Sequence, residues 1–426
     1  MMTTQASSKR LALGSVASFG GRISSAVSQL LITGFLARTL DANAFGLWAL
    51  LYTIYTLMPN LDLGFGQALR LKLADLNARG GQDNLEVRLF WSISLLLLIF
   101  GTILGILVGL IMLFLPNIET NSRLIFFFFA IACGLTIAFN LGTQVFYAYE
   151  EGFERGILDI SQAFILALTV WVVSRTSELS FIVFAFYAVA VILNAFAVAW
   201  FIHRRKWKFQ IPKRIDFQST FQELWHLSLW FWLLAVFAGG IFGTLPLFIA
   251  GATNLEQVGH FVILQRLFAM LITLHYAWLS PLQSAYTRAI ARLEWAWARN
   301  AWQRSKMVTV VGMISAGGIL LWLHQPLVQL WTGKQMFEPN VVIVLACWAC
   351  LWTWVNVNSV VLNGIGIIEP QVQWLIIGFV IHVLLNLLLI PKIGIIGAPI
   401  ATMVAILPIA FLNFFWVRHQ LTRGKP

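Results

Sequence analysis

Residues 89–115 read LFWSISLLLLIFGTILGILVGLIMLFL, a run without one charged side chain. An α-helix over this range would be about 40 Å long at 1.5 Å per residue. That length exceeds the roughly 30 Å hydrocarbon core of a bilayer. The run therefore predicts a transmembrane helix.

Comparable apolar runs recur along the whole chain, which is 59% hydrophobic and 11% charged. They predict an all-α integral membrane protein with about 12 transmembrane helices, arranged as two pseudo-symmetric six-helix bundles over residues 1–210 and 211–426. The connecting segments are too short to be separate soluble domains. The predicted spans are 12–35, 44–65, 89–115, 123–148, 157–174, 180–202, 227–250, 258–281, 307–329, 341–362, 370–390 and 394–417.

The 28 lysine and arginine residues are distributed unevenly between alternate connections. Only five lie in one set, and apart from Arg22 and Arg266 the others lie in the set that contains both termini. Cytoplasmic flanks are enriched in basic residues, so both termini are predicted to be cytoplasmic. This topology accounts for the net charge of +11 without a nucleic-acid partner. The five residues are Arg38, Arg123, Arg175, Lys334 and Lys392.

The second half repeats a segment of the first half. Residues 35–51 read FLARTLDANAFGLWALL, and residues 248–264 read FIAGATNLEQVGHFVIL. The repeat aligns Asp41 with Asn254 and Gly46 with Gly259. Parallel repeats of this kind are related by an axis along the membrane normal, and substrates bind between them near the midplane.

Two arginines, Arg22 and Arg266, lie deep inside predicted spans, about 15 and 12 Å from the span ends. An arginine at the bilayer centre costs roughly 2.5–3.5 kcal/mol and usually faces a water-filled cavity. We expect this pair to bind an anionic group, because a guanidinium keeps its charge and can bind a diphosphate with two hydrogen bonds. The alternative is that each arginine has a structural role, in which it caps backbone carbonyl groups or pairs with a carboxylate.

Other polar residues in or beside the spans are secondary candidates. Arg70 and Gln265 join the arginine pair as predicted substrate-binding residues. Two carboxylates and three histidines are candidates for gating or ion coupling, and the histidines could titrate during transport. These candidates are Asp62, Asp159, His260, His275 and His382. The competing interpretation is that the carboxylates lie at helix ends in water and that the histidines make helix contacts.

Three motifs occur in order along the chain. Residues 45–50 and 61–70 read FGLWAL and LDLGFGQALR, residues 281–297 read PLQSAYTRAIARLEWAW, and residues 386–402 read NLLLIPKIGIIGAPIAT. Together they resemble the O-antigen and polysaccharide (oligosaccharidyl-lipid) flippase family of the multidrug/oligosaccharidyl-lipid/polysaccharide exporter superfamily, hereafter the MOP superfamily. The chain departs from the family pattern at Leu293-Glu294, where Gly-Asp often follows the Ala-Arg pair.

The resemblance implies a flippase in the bacterial inner membrane. Such a protein moves a polyprenyl-diphosphate-linked oligosaccharide from the cytoplasmic to the periplasmic leaflet by alternating access, here through a cationic central cavity. The implied partners are an undecaprenyl-diphosphate-linked oligosaccharide, membrane lipids, a polysaccharide polymerase and a chain-length regulator. The resemblance does not identify the sugar.

Two other functions remain open. The first is an ion-coupled drug or toxin exporter of the related branch, although such pumps need carboxylates in their cavity and none is clearly mid-span here. The second is an integral-membrane glycan polymerase or ligase, although the outer connections are short. No catalytic, nucleotide-binding or metal-binding motif is found, so no enzyme, cofactor or metal site is predicted. Cys347 and Cys350 have the spacing of a redox pair, but packing explains them better.

Overall fold

The computed structural model describes residues 2–78, 83–114, 120–149, 151–176, 178–336 and 338–423. Within these residues the chain folds into fifteen α-helices and three short 3-10 helices, and it contains no strand. The predicted all-α fold class is confirmed. The α-helices are α1 (Met2–Thr39), α2 (Ala42–Leu57), α3 (Phe65–Ala78), α4 (Asp83–Phe114), α5 (Thr120–Phe139), α6 (Leu141–Ala148), α7 (Gly152–Val173), α8 (Leu179–Arg205), α9 (Arg214–Gly243), α10 (Leu245–Ala252), α11 (Leu255–Ala291), α12 (Trp295–Thr332), α13 (Pro339–Ile365), α14 (Glu369–Ile393) and α15 (Gly397–Arg423).

Nine ranges of the described residues are helical, long and apolar enough to cross a membrane. The last of them, Glu369–Thr422, contains both α14 and α15. The predicted first span corresponds to α1. The predicted second span corresponds to α2 and the 3-10 helix Met58–Leu61. Alone, α2 is about 24 Å long, so the 3-10 turn is needed to reach bilayer thickness.

Two of the predicted spans are each formed by two α-helices. The predicted span 123–148 is interrupted at Asn140, between α5 and α6. The predicted span 227–250 is interrupted at Thr244, between α9 and α10, and Pro246 follows in the first turn of α10. Proline lacks a backbone N–H and fits the first turn of a helix, where the N–H has no helical partner.

The chain forms two compact units. Unit 1 contains Met1–Ile32 and Ile54–Val236, and unit 2 contains Thr33–Thr53 and Phe237–Pro426. The end of α1 and most of α2 thus belong to unit 2, although they lie in the first half of the sequence. The division at residue 210 stays a prediction.

Unit 1 packs around aromatic and aliphatic residues of α3, α4, α6 and α8. The buried rings of Phe65, Phe90, Phe146 and Phe201 lie in this core. The side chains exposed along α4 and α7 are also large and apolar, as lipid-facing surfaces require. These exposed side chains include Ile103, Leu107, Ile111, Phe164 and Leu168.

The helices α4 and α5 of unit 1 approach each other along a stripe of glycines. A methyl group at Gly101 would lie 2.1 Å from the Gly134 carbonyl oxygen, and one at Gly105 would lie 2.7 Å from the Ala130 carbonyl oxygen. Small residues allow such close backbone contact between membrane helices. The Gly101, Gly105 and Gly109 stripe therefore serves helix packing.

In unit 2, the repeated segments contact each other where α2 and α11 begin. Asp41 Oδ1 accepts a hydrogen bond of 2.9 Å from the backbone N–H of Ala44, and Asn254 Oδ1 accepts one of 2.9 Å from that of Gln257. Each side chain caps the helix that follows it. A methyl group at Gly46 would lie 1.8 Å from the Leu255 carbonyl oxygen, so only glycine fits at this contact.

Candidate functional site

The predicted residue Arg22 lies beside an ion pair in unit 1. Arg155 Nη2 is 2.5 Å from Asp159 Oδ1, and the two side chains are only 7% and 22% exposed. Arg22 is close enough to interact electrostatically with the same carboxylate. Two guanidinium groups thus lie near one carboxylate.

The backbone explains how the two helices come close enough to form this group. A methyl group at Gly21 of α1 would lie 3.0 Å from Asp159 Cβ of α7, and one at Gly156 would lie 2.5 Å from the backbone of Ala17. The glycines allow α1 and α7 to approach closely. The arginine and the ion pair are thereby held next to each other inside the helical bundle.

The carboxylate of Asp62 has a different role from that of Asp159. Its Oδ1 accepts a hydrogen bond of 2.8 Å from the Gly64 N–H, and its Oδ2 accepts one of 3.0 Å from the Gly66 N–H. Leu63 and Gly64 have positive φ angles of 55° and 76°, and a methyl group at Gly64 would lie 2.0 Å from the Ser228 carbonyl oxygen. In the structure, Asp62 thus stabilises the turn before α3.

Arg70 lies on α3, and its guanidinium carbon is 5.1 Å from the centre of the Tyr147 ring. At this distance, a cation over an aromatic face is favourable by about 0.5–2 kcal/mol. Arg70 is thus held at α6, in the same unit as Arg22.

The second predicted arginine, Arg266, lies in unit 2 against an aromatic pair of α2. Its guanidinium carbon is 4.5 Å from the centre of the Tyr52 ring, and that ring stacks on Trp48 at 5.3 Å. The aromatic face orients the guanidinium without cancelling its charge. Gln265 is the neighbour of Arg266 on the same helix and is partly buried. Adjacent helical positions point about 100° apart, so the two side chains leave the helix in different directions.

The three candidate histidines of unit 2 lie in different environments. His260 Nε2 is 3.9 Å from Glu256 Oε1, one turn earlier on α11. His275 Nε2 is 2.9 Å from Thr309 Oγ1 of α12, whereas its Nδ1 has no hydrogen-bond partner within the described residues. His382 is fully buried on α14 among polar side chains.

The sequence prediction missed two residues of these sites. Arg155 lies just before the predicted fifth span and had the appearance of a membrane flank, although its spacing of four residues from Asp159 is the usual one for an ion pair on a helix. Tyr52 lies in an apolar run, where an aromatic residue gives no distinguishing signal.

Comparison with known proteins identifies the fold. No protein-family model matches the chain, and no curated protein sequence matches it. Solved structures do match over nearly the full length. A MOP superfamily transporter from Pyrococcus furiosus, whose binding pocket is described as having reverse polarity, has a TM-score of 0.69 at 13% identity, over 98% of this chain and 96% of the other. A variant of a Vibrio cholerae MATE transporter has a TM-score of 0.68 at 12% identity, over 99% of both chains.

The chain has the fold of the MOP superfamily transporters. A MATE family multidrug resistance transporter with this fold has been solved in an inward-facing conformation, with a TM-score of 0.66, 12% identity and 97% of this chain covered. A MATE family transporter has also been solved in an outward-facing conformation, with a TM-score of 0.66, 14% identity and 98% coverage. These proteins are transporters and not enzymes. They show the fold of the predicted superfamily, but they do not confirm the flippase family, and three of the four structures named here are MATE transporters.

Proposed function

We propose that this chain is an alternating-access membrane transporter of an amphiphilic substrate. The observation that carries the proposal is the placement of Arg22 and Arg266 within a chain that has this transporter fold. Fixed cationic groups among apolar helices usually mark a substrate or ion pathway. Two substrate classes follow from different observations.

The first class is a polyprenyl-diphosphate-linked oligosaccharide. Arg22 and Arg155 both interact with the carboxylate of Asp159, and Arg266 is oriented by the Tyr52 ring. Guanidinium groups match the oxygens of a diphosphate and retain their charge when water is removed. The three sequence motifs that resemble the flippase family support the same class.

The second class is a drug or toxin, as in the MATE transporters. The comparisons favour this class over the first, because MATE structures cover nearly the whole chain. Asp159 is the carboxylate that would serve such a pump in unit 1, since it is partly buried beside Arg155 and near Arg22. For the Pyrococcus furiosus protein, the reverse polarity of the binding pocket is described as suggesting a different function.

Substrate binding and transport by the purified chain decide between the classes. In liposomes, a fluorescent polyprenyl diphosphate-linked sugar is compared with a neutral fluorescent lipid and with ethidium, a cationic dye. We expect movement of the diphosphate lipid, and we expect Arg266→Ala to weaken its binding about tenfold or more, since a charged hydrogen bond contributes roughly 1.5–3 kcal/mol.

The variants separate charge from geometry. Arg266→Lys keeps the charge but loses the two-pronged contact, so we expect partial activity. Arg304→Ala removes an exposed arginine of α12 and is the matched control. Transport of ethidium that is unchanged or improved in Arg266→Ala, without movement of the diphosphate lipid, would establish the second class.

A further inference from the structure

The imidazole of His382 lies near the middle of α14, about 20 Å along the helix from Glu369. None of its surface is exposed. The rings of Phe248 and Phe379 have their centres 5.4 and 6.4 Å from its centre. A titratable ring is thus shielded from water, and only specific polar partners can stabilise its charged form.

Three polar side chains from three places in the fold meet this ring. His382 Nε2 is 3.2 Å from Thr244 Oγ1, at the interruption between α9 and α10. His382 Nδ1 is 3.3 Å from Thr402 Oγ1 of α15 and 3.2 Å from Asn386 Nδ2 of α14. The imidazole therefore connects α14 both to α15 and to the start of α10.

The two hydroxyl groups are set up to accept hydrogen bonds from the ring. Thr244 already donates its proton to the Gly240 carbonyl, and Thr402 donates its proton to the Ala398 carbonyl at 3.0 Å. A hydroxyl has one proton and two lone pairs, so each oxygen can still accept. An imidazolium ring, with a proton on both nitrogens, would find an acceptor at each.

The neutral ring also fits, with a different set of hydrogen bonds. Nε2–H would still donate to Thr244, and Nδ1 would accept from Asn386 Nδ2. The carbonyl oxygen of the same Asn386 side chain is buried and has no hydrogen-bond partner within the described residues. An unsatisfied buried acceptor costs roughly 1–3 kcal/mol, so this cluster is not optimised for a single hydrogen-bond arrangement.

No other titratable group faces the ring from the helices packed around it. Residues 229–253 of α9 and α10, 371–390 of α14 and 397–417 of α15 contain no Asp, Glu, Lys, Arg, Tyr, Cys or second His. The 3-10 helix Gly394–Ile396, which packs on α14 and α15, is also apolar. A proton bound here would therefore be held by the imidazole alone. It would change the hydrogen bonds that the ring makes with Thr244, Asn386 and Thr402.

We propose that His382 is a proton-binding site that couples substrate movement to a proton gradient. The inference rests on the proposed transport function. Binding forms one N–H bond at Nδ1, using the ring lone pair and one proton from a hydronium ion, which leaves as water. The new Nδ1–H donates to Thr402 and can no longer accept from Asn386, which changes the contact between α14 and α15. Release returns the proton to water on the other side of the membrane.

The proton site is tested without any substrate. The whole chain, labelled with ¹⁵N-histidine, is placed in lipid bilayers and examined by solid-state NMR between about pH 3 and about pH 8, a range that includes the ordinary histidine pKa and extends well below it. His382→Gln identifies the His382 signals, and His226→Gln, which removes an exposed histidine of α9, is the control. We expect the His382 signals to change from one protonated nitrogen to two. Signals that keep one protonation state throughout would overturn the proposal.

A second pair of variants tests the acceptor. Thr402→Val removes the oxygen that would receive Nδ1–H, so we expect the midpoint of the titration to fall by about one pH unit, which corresponds to about 1.4 kcal/mol. Thr402→Ser keeps the oxygen and should leave the midpoint close to that of the wild type. An equal midpoint in all three proteins would contradict the role of Thr402 in the site.

Coupling is measured separately in proteoliposomes, with the two fluorescent probes and an imposed proton gradient. We expect the gradient to accelerate the wild type several-fold and to cause no acceleration in His382→Gln. If the wild type moves a probe but ignores the gradient, the coupling is refuted while the transport function stands. If no probe moves, the proposed substrates are wrong, and the NMR titration still decides whether the site binds a proton.

Discussion

Removing the carboxylate of Asp159 should destabilise unit 1 strongly, whereas removing the charge of Arg22 should not. Arg155 is 7% exposed and pairs with Asp159 at 2.5 Å. Asp159→Ala leaves the Arg155 guanidinium buried without this partner, and such a loss costs about 3–5 kcal/mol. For a unit of roughly 200 residues, that corresponds to a fall of about 6–20 °C in Tm.

The measurement is the apparent Tm of the purified chain in detergent, followed by tryptophan fluorescence at one fixed scan rate because membrane proteins often unfold irreversibly. The control is the double variant with Arg155→Met and Asp159→Leu. Replacement of a buried ion pair by apolar residues of similar volume is often neutral or stabilising, so most of the lost stability should return.

Variants of Arg22 distinguish a substrate-binding role of this residue from a structural role. If Arg22 binds substrate, Arg22→Ala should change Tm by only a few degrees and should weaken binding of the diphosphate lipid about tenfold or more. A fall in Tm as large as that of Asp159→Ala, with substrate affinity unchanged, would refute the binding role. Arg22 would then be a structural part of the Arg155 and Asp159 group.

Two further predictions concern topology and packing. Single cysteines at Lys334 or Glu178, in a chain without the native cysteines, should be labelled from outside by an impermeant reagent, whereas cysteines at Lys213 or Arg299 should not; the opposite pattern would reverse the predicted orientation. Gly101→Ala should lower stability by about 1–3 kcal/mol, because its methyl group would lie 2.1 Å from the Gly134 carbonyl oxygen. Gly312→Ala, which has open space at its methyl position, is the matched control, and equal Tm values for the two variants would contradict the packing role.

The helices could be predicted from the sequence because bilayer thickness demands long apolar runs, but interruptions inside those runs could not. The predicted span 227–250 is formed by α9 and α10, which meet at Thr244. The sequence is apolar on both sides of this break, so average hydropathy does not mark it. The interruption matters for function because it brings Thr244 to His382 Nε2.

The candidate site residues could be predicted from the sequence where a charged residue lies in an apolar stretch. Arg22, Arg266 and Asp159 are charged residues in apolar sequence, and the structure gives Arg22 and Asp159 a shared environment. Asp62 gave the same sequence signal, yet its carboxylate binds the backbone amides of Gly64 and Gly66. A charged residue in a predicted span therefore indicates that the residue has a specific role. Only its contacts show whether that role is to stabilise the backbone, as for Asp62, or to bind a ligand.

The internal repeat separates residues that the fold requires from residues that only one half contains. Asp41 and Asn254 occupy matching positions and cap their helices in the same way. The arginines have no such counterparts, because the same alignment places Arg22 on Ala235 and Thr53 on Arg266. If the arginines were needed to build a six-helix bundle, both halves should contain them. Each arginine occurs in only one half, so construction of a bundle does not explain either of them.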